Sequence, residues 1–175
     1  MKKIIIFVSL MTVAACGLVG CGKDKSKGQE SKDVSVQQDI VEFVNEEVPA
    51  IRTYRDSAIA TYNSYFEESN MDTDTFLQEL TTSAMPDMQT FIDKLEDVDI
   101  DTAEVEELRG LYVSSAQKQY DAMELVTKAI QEENPDYLTQ ADLLIAEAEN
   151  LLSQYESQLK LLCIDYDVEI NGSFE

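Results

Sequence analysis

Apolar residues recur every three or four positions along most of the chain after residue 33, which is the spacing of one face of an α-helix. The stripe nearest the C-terminus is the most regular, with steps of three and four in alternation. Its members are Leu138, Ala141, Ile145, Ala148, Leu152, Tyr155, Leu159 and Leu162. Nearly four heptads of this kind predict a helix packed inside a bundle.

Three further stripes precede it and predict three more helices. The first covers about residues 34–68, with Ile40, Val44, Val48, Ile51, Ala58, Tyr62 and Tyr65. The second starts between Asp72 and Thr75, with Leu77, Leu80, Ala84, Met88, Phe91, Leu95 and Val98. The third starts at Asp101, with Val105, Leu108, Tyr112, Met123, Val126 and Ile130.

The residues between the stripes suggest how each helix begins. Thr75 with Gln78, and Asp101 with Glu104, have the spacing of capping boxes. Asn134 and Pro135 suit an N-cap followed by the first helical position of the last helix. After that helix, the alternation of apolar and acidic residues in 164–170 predicts a short extended strand.

Two prolines lie inside predicted helices, Pro49 in the first and Pro86 in the second. Proline breaks or bends a helix because it lacks an amide N–H and its ring collides with the preceding turn. If the two helices form an antiparallel hairpin, the prolines fall within about one helical turn of each other. They then either coincide by chance or open a groove in the bundle.

The predicted fold is therefore all-α. We expect an antiparallel up-down-up-down four-helix bundle with Pro-kinked first two helices, occupying residues 34–175 as one acidic domain.

The N-terminus has a different pattern. Lys2 and Lys3 precede an apolar run of signal-peptide length that ends in Leu18-Val19-Gly20-Cys21. This order of features resembles the signal peptide and lipobox of bacterial lipoproteins. The resemblance implies that Cys21 accepts a diacylglyceryl group, carrying acyl chains such as palmitate, and that cleavage follows Gly20. Residues 1–20 are then the signal peptide, and residues 21–33 are the lipidated cysteine and a flexible, lysine-rich tether.

Two alternatives remain at the N-terminus. Val13-Ala14-Ala15-Cys16 also fits a lipobox, which would make Cys16 the lipidated residue. Residues 4–20 could instead remain as an uncleaved membrane anchor, although 17 positions lie at the lower limit for spanning a bilayer.

Charge is distributed unevenly along the chain. From Asp33 onward there are 7 basic and 33 acidic residues, a net charge of 7 − 33 = −26. Such a domain is repelled by nucleic acid and by anionic lipid headgroups, which excludes nucleic acid as a partner. The acidity either keeps an exported domain soluble or attracts a basic partner or divalent cations.

The sequence gives no positive sign of catalysis. It contains no histidine, which removes the usual general base and imidazole metal ligands, and no phosphate-binding loop. Cys163 follows two leucines and is expected to be a buried small apolar residue. We therefore expect no enzyme activity, no catalytic residues and no cofactor.

One acidic loop is a candidate cation site. Residues 97–107 begin like an EF-hand loop, but Thr102 stands at the position of the glycine and Leu108 at that of the final glutamate. A solvated loop that caps the third helix explains the same residues, so no metal ligands are assigned.

The expected function is that of a lipid-anchored protein on the extracytoplasmic face of the cell membrane. Its helical bundle would act as a protein-interaction module for an envelope or secreted protein, such as a basic one. The alternative is a lipoprotein that binds a small ligand or a divalent cation.

Overall fold

The computed structural model describes residues 27–67 and 72–170, and this part of the chain is all-helical. Helix α1 comprises Lys27–Glu42, the π-helical turn Phe43–Glu47, and Val48–Glu67. Helix α2 comprises Thr73–Glu79, the π-helical turn Leu80–Ala84, and Met85–Glu96. Helices α3 and α4 are Ala103–Gln131 and Asp136–Asp165. The expectation of an all-α fold with four helices is confirmed.

Pro49 and Pro86 each follow a π-helical turn, with one residue between the turn and the proline. The amide of Val48 donates to the carbonyl of Phe43, and the amide of Met85 donates to that of Leu80, so each bond spans five residues. Pro49 and Pro86 come one residue later. The α-helical hydrogen-bonding pattern is therefore already interrupted just before each proline, which has no amide N–H with which to continue it.

The apolar spacing favours the same two turns. Across each of the two π-helical turns, four buried residues are separated by steps of four. They are Val36, Ile40, Val44 and Val48 in the first helix, and Phe76, Leu80, Ala84 and Met88 in the second. Three steps of four rotate an α-helical stripe by about 120° away from its face, because the helix has about 3.6 residues per turn. A π-helical turn is wider and removes part of this rotation, which keeps the whole set inward.

The two prolines do not lie at the same level of the bundle. The hydroxyl of Ser57 donates to Asp87 at 2.9 Å, which places the residue after Pro86 beside Ser57. Pro49 lies eight residues before Ser57, or about 12 Å along the helix axis. The prediction that the prolines fall within one helical turn was wrong, and no shared groove at the prolines follows from it.

Helix α3 is capped from another helix. Asp39, in α1, accepts hydrogen bonds from the amides of Asp101 and Thr102 at 3.1 and 2.7 Å, and from the Thr102 hydroxyl at 2.6 Å. The predicted capping box of Asp101 and Glu104 was wrong, because Thr102 is the N-cap and makes no capping bond of its own. The side chain of Glu104 instead pairs with Lys32 at 2.6 Å.

Helix α2 also begins differently from its predicted box. Asp72 is the N-cap, and its carboxylate accepts from the amide of Thr75 at 3.3 Å. Phe76, which the predicted stripe omitted in favour of Leu77, is fully buried. Helix α1 begins at Lys27, within the segment expected to be a tether, and Val36 near this end is fully buried.

Small residues bring α3 and α4 close together. Ser115 is fully buried and donates its hydroxyl to the carbonyl of Ala148 at 2.9 Å. Tyr112 stacks on Tyr155 with ring centroids 4.8 Å apart. The guanidinium of Arg55, from α1, lies 5.9 Å from the centre of the Tyr112 ring. The core thus contains one buried cation among aromatic side chains.

The predicted strand after α4 is absent from the described residues. Ile164 and Asp165 continue the helix, and Asp167 then adopts a left-handed conformation with φ of 54°. The amide of Val168 donates back to the carbonyl of Cys163 at 2.9 Å, which closes the helix end. Alternation alone was insufficient because the part of the chain that the structure describes has no strand to pair with this segment.

Candidate functional site

A pocket of about 280 Å³ lies where the end of α1, the end of α3 and the start of α4 meet. It is lined by Tyr65, Val126, Ala129, Ile130, Glu133, Pro135 and Leu138. Six of these seven side chains present apolar or aromatic surface. The pocket can therefore accept an apolar group of about the size of one side chain.

The side chains that line the pocket are held in place by the packing of the helices. Tyr65 is fixed by stacking on Phe76, with ring centroids 4.1 Å apart, and its hydroxyl lies 3.4 Å from that of Thr73. Val126 and Ala129 belong to the buried face of α3. The pocket is consequently part of the packed bundle and does not depend on a surface loop alone.

Glu133 is the one acidic residue among the described residues that line the pocket. Its backbone has φ of 51°, a left-handed conformation that favours glycine. The amide of Glu133 donates to the carbonyl of Ile130 at 3.4 Å, and that of Asn134 donates to Ala129 at 3.0 Å. These two bonds form the helix-ending arrangement in which glycine is usual, so the chain has a glutamate at this position despite a conformational cost.

The start of α4 follows at once. The side-chain oxygen of Asn134 accepts from the amide of Asp136 at 3.1 Å, but the N-cap is Pro135, so the prediction that Asn134 is the N-cap was wrong by one residue. The helix itself begins at Asp136, one residue later than predicted. The reversal from α3 to α4 is short, and it brings Pro135 and Leu138 against the end of α3.

Acidic side chains surround this end of the bundle. Among the described residues near these helix ends, the exposed carboxylates are Asp72, Asp74, Glu132, Glu133 and Asp136. Lys128, in the last turn of α3, is the basic residue nearest in sequence to Glu132, Glu133 and Asp136. An apolar pocket inside a negative field suits a ligand that is apolar along its length and cationic at its tip.

The acidic loop predicted as a candidate cation site is bound by an arginine side chain of the same chain. Arg109 donates through Nη1 to the carbonyls of Glu96 and Val98, and through Nη2 to the Glu106 carboxylate. Backbone carbonyls are groups that a calcium ion would use in such a loop. No three side chains of metal-ligating type come together in residues 27–67 and 72–170 in a way that could hold a metal ion.

The cysteines divide between described and undescribed parts of the chain. Cys163 is half-buried near the end of α4, and burial raises the pKa of its thiol to about 11. At neutral pH this thiol is protonated and is a weak nucleophile. Cys21, the predicted lipid attachment site, and Cys16, its alternative, lie outside the described residues.

Sequence reasoning did not find the pocket. Tyr65, Val126, Ile130 and Leu138 all appeared in the predicted stripes, where they were assigned to the core. The sequence Glu133-Asn134-Pro135 indicates a helix end, but it does not indicate that a pocket lies beside that end. The space depends on how three helix ends meet.

No helix in residues 27–67 and 72–170 combines the length and the apolar character needed to cross a bilayer. Comparisons with protein-family models, curated proteins and solved structures gave no match to this chain.

Proposed function

We propose that this chain is a lipoprotein anchored through Cys21 to the extracytoplasmic face of the cell membrane. Its helical bundle acts there as a binding module for a basic envelope or secreted protein and performs no catalysis. The anchoring part of the proposal rests on the order of Lys2, Lys3, the apolar run and Leu18-Val19-Gly20-Cys21.

The acidic surface of the bundle carries the binding part of the proposal. Of the seven basic residues after residue 33, three pair with acidic neighbours on the surface: Arg52 with Asp56, Arg109 with Glu106, and Lys118 with Glu147. Arg55 is buried, with 6 % of its surface exposed. Most of the 33 acidic residues therefore have no basic side chain to neutralise them, and they attract a positively charged partner over several ångströms.

We further propose that the four helices run up, down, up and down. Contacts at both ends support this order. At one end Lys32 of α1 pairs with Glu104 of α3, and Gln37 of α1 donates to the carbonyl of Tyr166, just after α4. At the other end Tyr65, Ile130 and Leu138 share the pocket.

This order gives the molecule a direction relative to the membrane. An anchor at Cys21 lies six residues before the start of α1 at Lys27. The pocket then faces away from the bilayer, at a distance set by the length of α1. A helix of about 40 residues is roughly 60 Å long.

Anchoring is tested by incorporation of labelled palmitate into single cysteine variants expressed in cells. Cys21→Ser removes the acyl acceptor, so this variant should lose the label. Cys163→Ser is the matched control and should keep it. Loss of label in Cys16→Ser but not in Cys21→Ser would place the lipid on Cys16, and a wild-type protein without label would contradict lipid anchoring at the lipobox.

Partner binding is tested by affinity capture with the full-length lipidated chain from detergent-solubilised envelopes. A basic protein should be retained at low salt and released by a few hundred millimolar sodium chloride, because screening weakens long-range attraction. The matched bait is the same chain with several exposed glutamates changed to glutamine, which should retain less. Capture that is equal for both baits and insensitive to salt would contradict the proposed role of charge.

A further inference from the structure

The pocket beside Glu133 is small for a metabolite. Sites for small molecules usually have volumes of about 300–1,000 Å³, and this pocket has about 280 Å³. Its walls are aliphatic apart from Tyr65, and it opens at a strongly acidic end of the bundle. A group that fits must be slender, apolar along its stem and positively charged at its tip.

We propose that this pocket binds one lysine side chain of the basic partner. The inference rests on the proposed function and names the part of the bundle that carries it out. The four methylenes of the lysine lie against Val126, Ile130 and Leu138, and the ammonium group remains at the rim near the Glu133 carboxylate. Lysine side chains bury their apolar methylenes while keeping the ammonium group in water. This pocket has apolar walls for the methylenes and an acidic, solvent-exposed opening for the ammonium group.

The conformation of Glu133 supports this assignment. A residue with φ of 51° at a helix end is ordinarily glycine, because an L side chain is strained there. The chain instead has a long acidic side chain at this position, in the reversal between α3 and α4. Left-handed residues other than glycine are often found at functional sites, where the strain is retained for the sake of the side chain.

The buried Arg55 is a weaker candidate for a ligand site. Its Nε and Nη2 atoms are buried and have no hydrogen-bond partner among the described residues. A free anion would be the natural ligand, but it would have to enter a domain with a net charge of −26. The repulsion disfavours an anion there and favours a cation at the pocket rim.

The experiment measures binding of labelled decalysine to the full-length lipidated chain in nanodiscs of zwitterionic lipid, by fluorescence anisotropy. A second peptide of ten 2,3-diaminopropionic acid residues has the same number of amino groups but only one methylene in each side chain. The titrations are made at a pH low enough to keep both peptides fully protonated. Wild-type protein should bind decalysine at least about five-fold more tightly, because only lysine has a stem that reaches the walls.

Two variants and their controls locate the site. Ala129→Phe fills the pocket and should abolish the preference for decalysine, whereas Ala146→Phe, at an exposed position of α4, should leave it intact. Glu133→Gln should weaken decalysine binding at least about three-fold more than Glu107→Gln, which makes the same charge change at an exposed position elsewhere on α3. Circular dichroism of each variant verifies that the bundle is folded.

The outcomes separate this inference from the proposed function. Equal affinity for the two peptides, or a preference that survives Ala129→Phe in a folded protein, overturns the lysine pocket. If Ala129→Phe prevents folding, the comparison of Glu133→Gln with Glu107→Gln decides, and equal effects overturn the proposal. A salt-sensitive partner captured equally by wild type and Glu133→Gln overturns the pocket while leaving the acidic binding module in place.

Discussion

At the scale of single residues, Asp39 shows how one side chain joins two helices. Its Oδ2 atom accepts three hydrogen bonds from Asp101 and Thr102, although it lies about 60 residues earlier in the chain. Sequence spacing assigned this task to Asp101, because local capping boxes are the usual solution. The actual cap fixes the start of α3 and at the same time fixes the position of α1 against it.

We expect Asp39→Ala to destabilise the bundle by about 1–2 kcal/mol, the usual cost of losing an N-cap carboxylate. Asp101→Ala makes the same change at the residue that the sequence selects and should cost less than about 0.5 kcal/mol, because that side chain is exposed. Urea unfolding followed by circular dichroism measures both values. Equal losses for the two variants would mean that Asp39 does not act as the cap.

At the scale of the helix, the π-helical turns reconcile two demands of the sequence. Steps of four between buried residues require a wider turn, and Pro49 and Pro86 require a break in α-helical bonding. One turn in each helix meets both demands. Both signals are present in the sequence, but a proline inside a helix predicts a bend as readily as a π-helical turn, and a stripe that starts at Leu77 omits the run of fours that begins at Phe76.

Pro86→Ala tests whether the proline is strained. Proline inside a regular α-helix costs about 3 kcal/mol, so its removal would raise stability by a similar amount. Pro86 instead follows a π-helical turn at the start of an α-helical segment, where proline is tolerated. We expect Pro86→Ala to change the free energy of unfolding by less than about 1 kcal/mol, and a gain near 3 kcal/mol in urea denaturation would contradict this account.

At the scale of the whole molecule, repulsion between carboxylates opposes the stabilisation that the apolar core contributes. The chain from Asp33 onward has a net charge of −26, and few of its carboxylates pair with basic side chains. Close packing of like charges destabilises a folded domain through self-repulsion. The same field that makes a basic partner attractive therefore reduces the stability of the free bundle.

Raising sodium chloride from about 20 to 200 mM should increase the melting temperature, because the Debye length falls well below the size of the domain. Choline chloride at the same concentrations should give the same increase, since screening does not depend on the identity of the cation. Differential scanning calorimetry measures both series. A melting temperature that stays constant or falls would contradict self-repulsion, and extra stabilisation by calcium at equal ionic strength would support the alternative of a cation-binding protein.

The amino-acid pattern by itself determined that the described chain is helical, how many helices there are and which faces are buried, because spacing of three and four encodes a face without reference to neighbours. The cap at Asp39, the level of Pro86 beside Ser57 and the pocket at Glu133 were decided only by the tertiary structure. Each depends on how far one helix slides along another. That displacement is set by the summed packing of many side chains and leaves no periodic signal in the sequence.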